Sequence, residues 1–211
     1  MSTEFDQQSY WHERFQTETA FEWLQSSADF VSLIREPVLD VLPPPDSARI
    51  LQLGAGTSDL AVHLRAAGFG DAVTNTDFEP LAVSRGRELE REAFGDVRMR
   101  YAVADATKLG SFAGGQKYHL VIDKSTCDAV ACGGEEQLLR MARSVKECLV
   151  QGGAWVSLSF SNWRFDSEDL PFDVEVLAKI LTPKARPSDP DYYHWCYLLT
   201  PIEEPKKGAA M

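Results

Sequence analysis

The sequence predicts an α/β fold in which a mostly parallel sheet carries helices on both faces and ends in an antiparallel hairpin. Two observations support this prediction. From Arg49 to Phe160, short apolar runs alternate with stretches of helical periodicity, which is the pattern of the βα units that build parallel sheets. Beyond them, apolar residues alternate at 174–180 and an aromatic run covers 192–199. Because no helix separates these two strands, we expect them to pair antiparallel.

The individual elements follow in order along the chain. An N-terminal helix is predicted over 8–16, and an apolar-periodic stretch over 28–42 contains Pro37, which kinks or divides it. The stiff Pro-rich run at 43–46 then separates a predicted N-terminal helical cover, 1–48, from a main domain, 49–205. In that domain, strands are predicted at 49–53, 72–76, 98–103, 119–123 and 154–160, and helices at 57–67, 80–94 and 135–149.

Composition excludes several classes of function. The chain has 211 residues, and 21 Lys and Arg against 32 Asp and Glu give a net charge of −11. This balance argues against general binding to nucleic acid or anionic membranes and is compatible with a basic partner. The four cysteines form no C-x-x-C pair and only four histidines are present, so no metal site is expected. No signal peptide or membrane-spanning run is recognisable, and a cytoplasmic location is expected.

Glycines and carboxylates stand at the ends of three successive predicted strands. Gly54 and Gly56 follow the first strand, where glycine permits a sharp turn and close approach of a ligand. Asp77 ends the second strand, where a carboxylate can accept hydrogen bonds from two ribose hydroxyls. Asp105 follows the third and can accept from an adenine amino group. A tight turn without ligand and helix-capping carboxylates are the alternatives. Together the three features predict an adenosine cofactor in a Rossmann-like fold.

Four segments carry a resemblance to the class I (seven-strand) S-adenosylmethionine (SAM) dependent methyltransferases. Within that class, the chain resembles the methyltransferase-like family that contains the eukaryotic elongation-factor-1-alpha lysine methyltransferases. The most diagnostic segment is the last, Ile122–Ala129, because the general fold does not require it. The family pattern has Asp, Gly and Leu where this chain has His12, Ser125 and Cys127. The matching segments are Tyr10–Phe15 with Phe21-Glu22-Trp23, Leu51–Ser58, Asp77-Phe78 and Ile122–Ala129.

The resemblance implies SAM as cofactor, S-adenosyl-L-homocysteine (SAH) as product, and an adenosine site. Gly54 and Gly56 are implied to pass under the methionyl part of SAM, and Ser58 belongs to the same turn. Asp77 is implied to hold the ribose. Three further residues are implied to contact adenine. The ring of Phe78 packs on the base, and Asp105 and Ala106 contact its edge.

The resemblance also implies a cover and two catalytic residues. Asp123 is implied to lie near the amino group of SAM, and Asp123 and Lys124 are the predicted catalytic pair. Arg14 is implied to face the cofactor carboxylate, where a guanidinium can bond both oxygens. The residues implied to fold over the cofactor are Tyr10, Trp11, Arg14 and Trp23, with packing as the alternative for the two tryptophans.

The acceptor of the methyl group is the open part of the prediction. Methylation of a protein lysine amine is the predicted function, and a small-molecule N-, O- or S-methyltransferase of a biosynthetic pathway is the alternative. A non-catalytic SAM-binding protein is a third class, which the intact glycine turn disfavours. Aromatic residues at 160–165 and 192–195 either surround a methylated cation or pack the core.

Overall fold

The computed structural model describes residues 4–203, apart from the side chains of Ser111 and Ala113. It contains a seven-stranded sheet in the order β3-β2-β1-β4-β5-β7-β6. Strands β1 to β5 are parallel to one another, whereas β7 runs antiparallel to both β5 and β6. The predicted fold class is therefore confirmed. The strands are β1 Ile50–Leu53, β2 Val73–Asp77, β3 Arg100–Val103, β4 Tyr118–Lys124, β5 Leu149–Ser159, β6 Phe172–Leu181 and β7 Tyr193–Pro201.

Seven α-helices surround the sheet. Two of them continue into π-helical turns, Arg35–Leu39 after α2 and Arg65–Phe69 after α3. Pro37 lies inside the first of these turns, where its missing N–H interrupts the α-helical ladder. The helices are α1 Gln8–Phe15, α2 Ser27–Ile34, α3 Leu60–Leu64, α4 Pro80–Phe94, α5 Leu109–Ala113, α6 Thr126–Ala131 and α7 Glu135–Cys148.

The structure differs from the predicted elements at three places. Helix α3 begins at Leu60 rather than 57, because the preceding residues form the glycine turn. Helices α5 and α6 have five and six residues, too few to show a helical repeat in sequence. Strand β5 begins at Leu149 rather than 154 and runs through Gly152 and Gly153, residues that by themselves favour a turn after the predicted helix. A Cβ on Gly153 would lie 3.1 Å from the Tyr118 carbonyl oxygen, so glycine lets the strands approach there.

The hydrophobic core runs across the predicted boundary at residue 48. Phe30 and Ile34 of α2 are fully buried in the same cluster as Ile50 and Leu60. By contrast, α1 buries none of its residues. We therefore use the name N-terminal cover for residues 4–26 only, and the division at 48 stays a prediction.

The sheet topology places one edge beneath the N-terminal cover. Strands β1 and β4 are adjacent and parallel. The strand that follows β1 lies on one side of this pair and the strand that follows β4 lies on the other, so a crevice opens at the carboxyl ends of β1 and β4. The cover crosses this edge and reaches α4. Gln8 Nε2 donates to the Phe78 carbonyl oxygen at 2.7 Å, and Arg85 Nε donates to the Thr19 carbonyl oxygen at 2.9 Å. Within residues 4–203, none of the helices combines the length and apolar character needed to span a bilayer.

Candidate active site

A cavity of about 660 Å³ lies between the carboxyl edge of the sheet and the N-terminal cover. This volume is within the range of sites for small ligands. Its floor is built from the turns after β1, β2, β3 and β4. Its roof is aromatic and comes from the cover, through Phe5, Trp11, Phe15, Phe21 and Trp23.

The glycine turn after β1 has the conformation that its sequence predicts. Gly54 and Gly56 have φ of +57° and +55°, in the left-handed region that side chains disfavour. A Cβ on Gly54 would lie 2.2 Å from Thr126 Oγ1. That hydroxyl donates to the Leu53 carbonyl oxygen at 3.0 Å, so its position is fixed. Glycine at 54 is thus required both by backbone conformation and by the close approach of α6.

Asp77 lines the cavity at the end of β2 and organises the glycine turn. Its Oδ2 accepts from the Gly56 amide at 2.9 Å, and its Oδ1 accepts from the Glu79 amide at 2.9 Å. The residue is only 5% exposed. Burial raises the pKa of Asp77 to about 6, while these backbone donors oppose the shift. The carboxylate is therefore mostly ionised at neutral pH and faces the cavity as an acceptor with little access to water.

Asp105 also lines the cavity, but nearby groups occupy its oxygens. Oδ1 accepts from the Thr107 amide at 2.8 Å and from the Thr107 hydroxyl at 2.7 Å, and Lys108 Nζ donates to Oδ2 at 2.9 Å. Burial alone acts to raise the pKa of Asp105, but the hydrogen bonds from Thr107 and Lys108 outweigh it and lower the pKa. Asp105 thus shapes the turn after β3, and Ala106 in the same turn lines the cavity beside it.

The cover residues named from the resemblance divide into two groups. Trp11 and Trp23 line the cavity. Tyr10 and Arg14 are not among its lining residues. Arg14 Nε donates to Glu18 at 2.7 Å, and its guanidinium carbon lies 4.9 Å from the centre of the Trp23 ring. The cation is thus paired and stacked within the cover, and contact of Arg14 with the cofactor carboxylate stays a prediction.

Asp123 lies beneath the site rather than in it. It is fully buried and is not among the residues that line the cavity. One oxygen accepts from the Cys127 amide at 3.0 Å and the other from Trp155 Nε1 at 2.8 Å. Burial raises the pKa of Asp123 to about 6. This carboxylate holds the turn from β4 into α6, and its catalytic and cofactor-binding roles stay a prediction.

Lys124 does line the cavity, but its ammonium is bound within the protein. Nζ donates to the Glu22 carboxylate and to the Gln25 carbonyl oxygen, the latter at 3.1 Å. Burial lowers the pKa of Lys124, and the Glu22 carboxylate opposes that shift. An ammonium held by two acceptors of the cover is poorly suited to take up a proton from a substrate, and a catalytic role for Lys124 stays a prediction.

Asp128 is a cavity residue that the sequence prediction missed. Its carboxylate accepts from the hydroxyls of Ser125 and Ser159 at 3.0 and 2.5 Å, from the Phe160 amide at 3.2 Å and from Arg164 Nε at 2.8 Å. It thereby ties the start of α6 to the loop after β5. The diagnostic 122–129 segment contained this residue, but its long-range partners could not be seen in sequence.

The cavity fits SAM by its chemistry. Ten of the thirteen residues expected at the site line it, and they include a buried carboxylate, an adaptable glycine turn and aromatic side chains. Gln52 Oε1, also on the lining, is buried without a hydrogen-bond partner, which favours a polar ligand there. When bound, SAM supplies a methyl group that its positively charged sulfur has already activated. The lining residues from the expected set are Trp11, Trp23, Gly54, Gly56, Ser58, Asp77, Phe78, Asp105, Ala106 and Lys124.

Comparison with solved structures gives the class to which this fold belongs. TrmN from Thermus thermophilus superposes with a TM-score of 0.62 at 19% identity, over 90% of this chain and 53% of that one. The magnesium protoporphyrin IX methyltransferase of Synechocystis, solved with bound SAM, gives a TM-score of 0.57 at 16% identity, over 82% and 77%. The chain thus has a seven-strand fold that a SAM-dependent methyltransferase also has.

Comparison of sequences gives the family. "Methyltransferase srdJ" of Neurospora crassa is 57% identical over 200 residues, which are 94% of this chain and 84% of that protein. The chain belongs to this methyltransferase family. The "eEF1A lysine and N-terminal methyltransferase homolog" of Drosophila melanogaster is 30% identical over 162 residues, or 74% of this chain but 22% of that protein. No protein-family model matches the chain.

Proposed function

We propose that this methyltransferase transfers the methyl group of SAM to a lysine amine of a protein. The observation that carries the proposal is an exposed aromatic surface at the cavity. Phe160 lines the cavity and is 58% exposed, and Trp163 in the same loop is 70% exposed. Tyr192 is 65% exposed and precedes β7, whose Trp195 pairs with Ser159 at the end of β5. Exposed aromatic groups beside a cavity are typical of surfaces that dock another macromolecule.

Two further observations support a protein lysine as acceptor. The net charge of −11 favours approach of a basic substrate. The relatives that share about 30% identity with this chain include enzymes named as lysine methyltransferases of eEF1A and of citrate synthase. The chain spans 22% and 59% of these proteins, so they support the proposal as similarity to one region.

The residues around the cavity predict how the acceptor loses its proton. A lysine amine attacks only in its neutral form, and its ordinary pKa is about 10.4. Glu22 accepts three hydrogen bonds and Asp128 accepts four. Because these hydrogen bonds already occupy the oxygens of both carboxylates, neither is well placed to accept a hydrogen bond from the substrate amine. We therefore expect the amine to release its proton to solvent, and the transfer rate to rise with pH.

A small-molecule acceptor is the second candidate, and a different observation favours it. The aromatic roof formed by Trp11, Trp23 and their neighbours encloses an apolar space over the glycine turn. Such enclosed aromatic cavities suit planar or apolar metabolites.

The two candidates separate in a labelling experiment. The purified full chain is incubated with [methyl-³H]SAM and a lysate of the source organism, and the proteins are separated from the small molecules. We expect label in the protein fraction, recovered as methyl-lysine after acid hydrolysis, and more label at pH 9 than at pH 7. Asp77→Asn is the control that should remove the label. Label confined to small molecules would overturn the lysine proposal in favour of the alternative.

A further inference from the structure

A single glutamate of the N-terminal cover joins three parts of the fold around the cavity. Glu22 accepts from the Ser27 hydroxyl at 2.9 Å, from the Asp59 amide at 3.1 Å and from Lys124 Nζ. These partners belong to α2, to the start of α3 and to the end of β4. Glu22 therefore connects the roof of the cavity to its floor at the crevice between β1 and β4.

Lys124 depends on the cover for its charge balance. Its side chain is only 4% exposed, and the acceptors recorded for Nζ are the Glu22 carboxylate and the Gln25 carbonyl oxygen. Both belong to the cover, so lifting the cover would remove them together. A buried ammonium left without a partner is strongly unfavourable. Closure of the cover therefore determines whether the buried charge of Lys124, on the cavity floor, has acceptors.

The rest of the cover is held less firmly. Helix α1 buries no residue against the sheet. Its recorded contacts with the body include Gln8 to the Phe78 carbonyl and the half-exposed His12 to Glu79 at 3.1 Å. The Gln8 contact is exposed and His12 is exposed on its own side of the pair, and exposed polar partners of this kind contribute little each. Among the Lys and Arg ion pairs within residues 4–203, the one that joins the cover to the body is the pair formed by Glu22 and Lys124.

We propose that Glu22 and Lys124 are positioning residues whose ion pair locks the N-terminal cover over bound cofactor. Neither residue takes part in the chemistry. The pair holds the aromatic roof in place and sets how fast SAM and SAH leave. The inference does not depend on the identity of the acceptor, because it concerns the cofactor alone.

The test measures SAH binding to the full chain by stopped-flow tryptophan fluorescence and calorimetry. Breaking the lock through Glu22→Gln or Lys124→Gln should raise the Kd of SAH about tenfold, in line with loss of a hydrogen bond to a charged group. The increase should come from the dissociation rate, since an unlocked cover opens more often. Lys124→Arg, which keeps the charge, should restore most of the affinity. Chymotrypsin should also cut the aromatic cover faster in the two Gln variants, even with SAH present.

A matched control removes an ion pair elsewhere on the surface. Arg98 pairs with Asp71 at the opposite edge of the sheet, and both are more than half exposed. Arg98→Gln should leave both SAH rate constants unchanged. Unchanged dissociation in both Gln variants would overturn the proposal. A loss of affinity that came only from slower association, or that Lys124→Arg failed to restore, would assign the pair a role in folding instead. If one Gln variant does not fold, the other and Lys124→Arg decide the outcome.

Discussion

Asp77 offers the sharpest test of the cofactor site, because a single carboxylate combines burial, a shifted pKa and two structural hydrogen bonds. Asp77→Asn keeps the shape of the side chain and removes its charge. A hydrogen bond to a charged group contributes about 1.5–3 kcal/mol, so loss of the ribose contacts should cost about 2 kcal/mol or more. At about 1.4 kcal/mol per factor of ten, the Kd of SAH should rise about thirtyfold.

The pKa of Asp77 predicts a second signature in the unaltered protein. With a pKa of about 6, the group is about ten-to-one ionised at pH 7 and about one-to-ten at pH 5. If the ionised form holds the ribose, the Kd of SAH should rise about tenfold between pH 7 and pH 5. In Asp77→Asn this dependence should disappear, since the amide does not titrate.

Isothermal titration calorimetry with SAH at both pH values measures both effects. The matched control is Asp71→Asn, which removes an exposed carboxylate just before the opposite end of the same strand. This variant should bind SAH as the parent chain does. An Asp77→Asn protein with parental affinity and parental pH dependence would remove Asp77 from the cofactor site and refute the reasoning.

Four further predictions follow from the site. Gly54→Ala should abolish SAH binding in calorimetry and lower the melting temperature, because its Cβ meets Thr126 at a positive φ; a normal melting temperature with normal binding would contradict the close approach. Asp123→Asn tests how protonation of Asp123 is coupled to stability. Since the folded pKa of about 6 exceeds the unfolded value of 3.8, this group raises the free energy of unfolding as pH falls from 7 to 5. Urea unfolding should show about 1.3 kcal/mol less of that gain in the variant, whereas an equal gain would place the titration elsewhere. Asp128→Asn should leave SAH affinity unchanged but speed amide hydrogen exchange at Phe160, because it weakens the hold on Arg164; unchanged exchange would show the loop to be held by packing. Methyl transfer to the labelled lysate should survive EDTA, and a loss restored by a divalent ion would favour a metal-dependent acceptor site.

Much of the fold could be predicted from local signals in the sequence. Helix α4 spans Pro80–Phe94 as expected, because Pro80 suits the first turn and Gly95 ends the helix with φ of +80°. Helix α6 was missed because six residues carry no readable period. The start of β5 was missed because Gly152 and Gly153 favour a turn when only neighbouring residues are considered. The strand continues through them because Gly153 packs closely against β4, a contact between distant parts of the chain.

The candidate site shows the same division between local and long-range information. Asp77 could be assigned to the carboxyl edge of the sheet because it is the last residue of a predictable strand. Arg14 could not be placed, because its stacking on Phe21 and Trp23 depends on how the cover folds. The partners of Asp128 come from three different segments, and no spacing in the sequence reveals them.

The pairing of Glu22 with Lys124 has a consequence for how the enzyme matures. The two residues are 102 positions apart, and bringing distant segments together carries an entropic cost that local helices avoid. During synthesis, the roof of the cavity emerges long before the strand that anchors it. The cover therefore has to wait for β4, and competence to bind cofactor should appear only after Lys124 has been made and has joined the sheet.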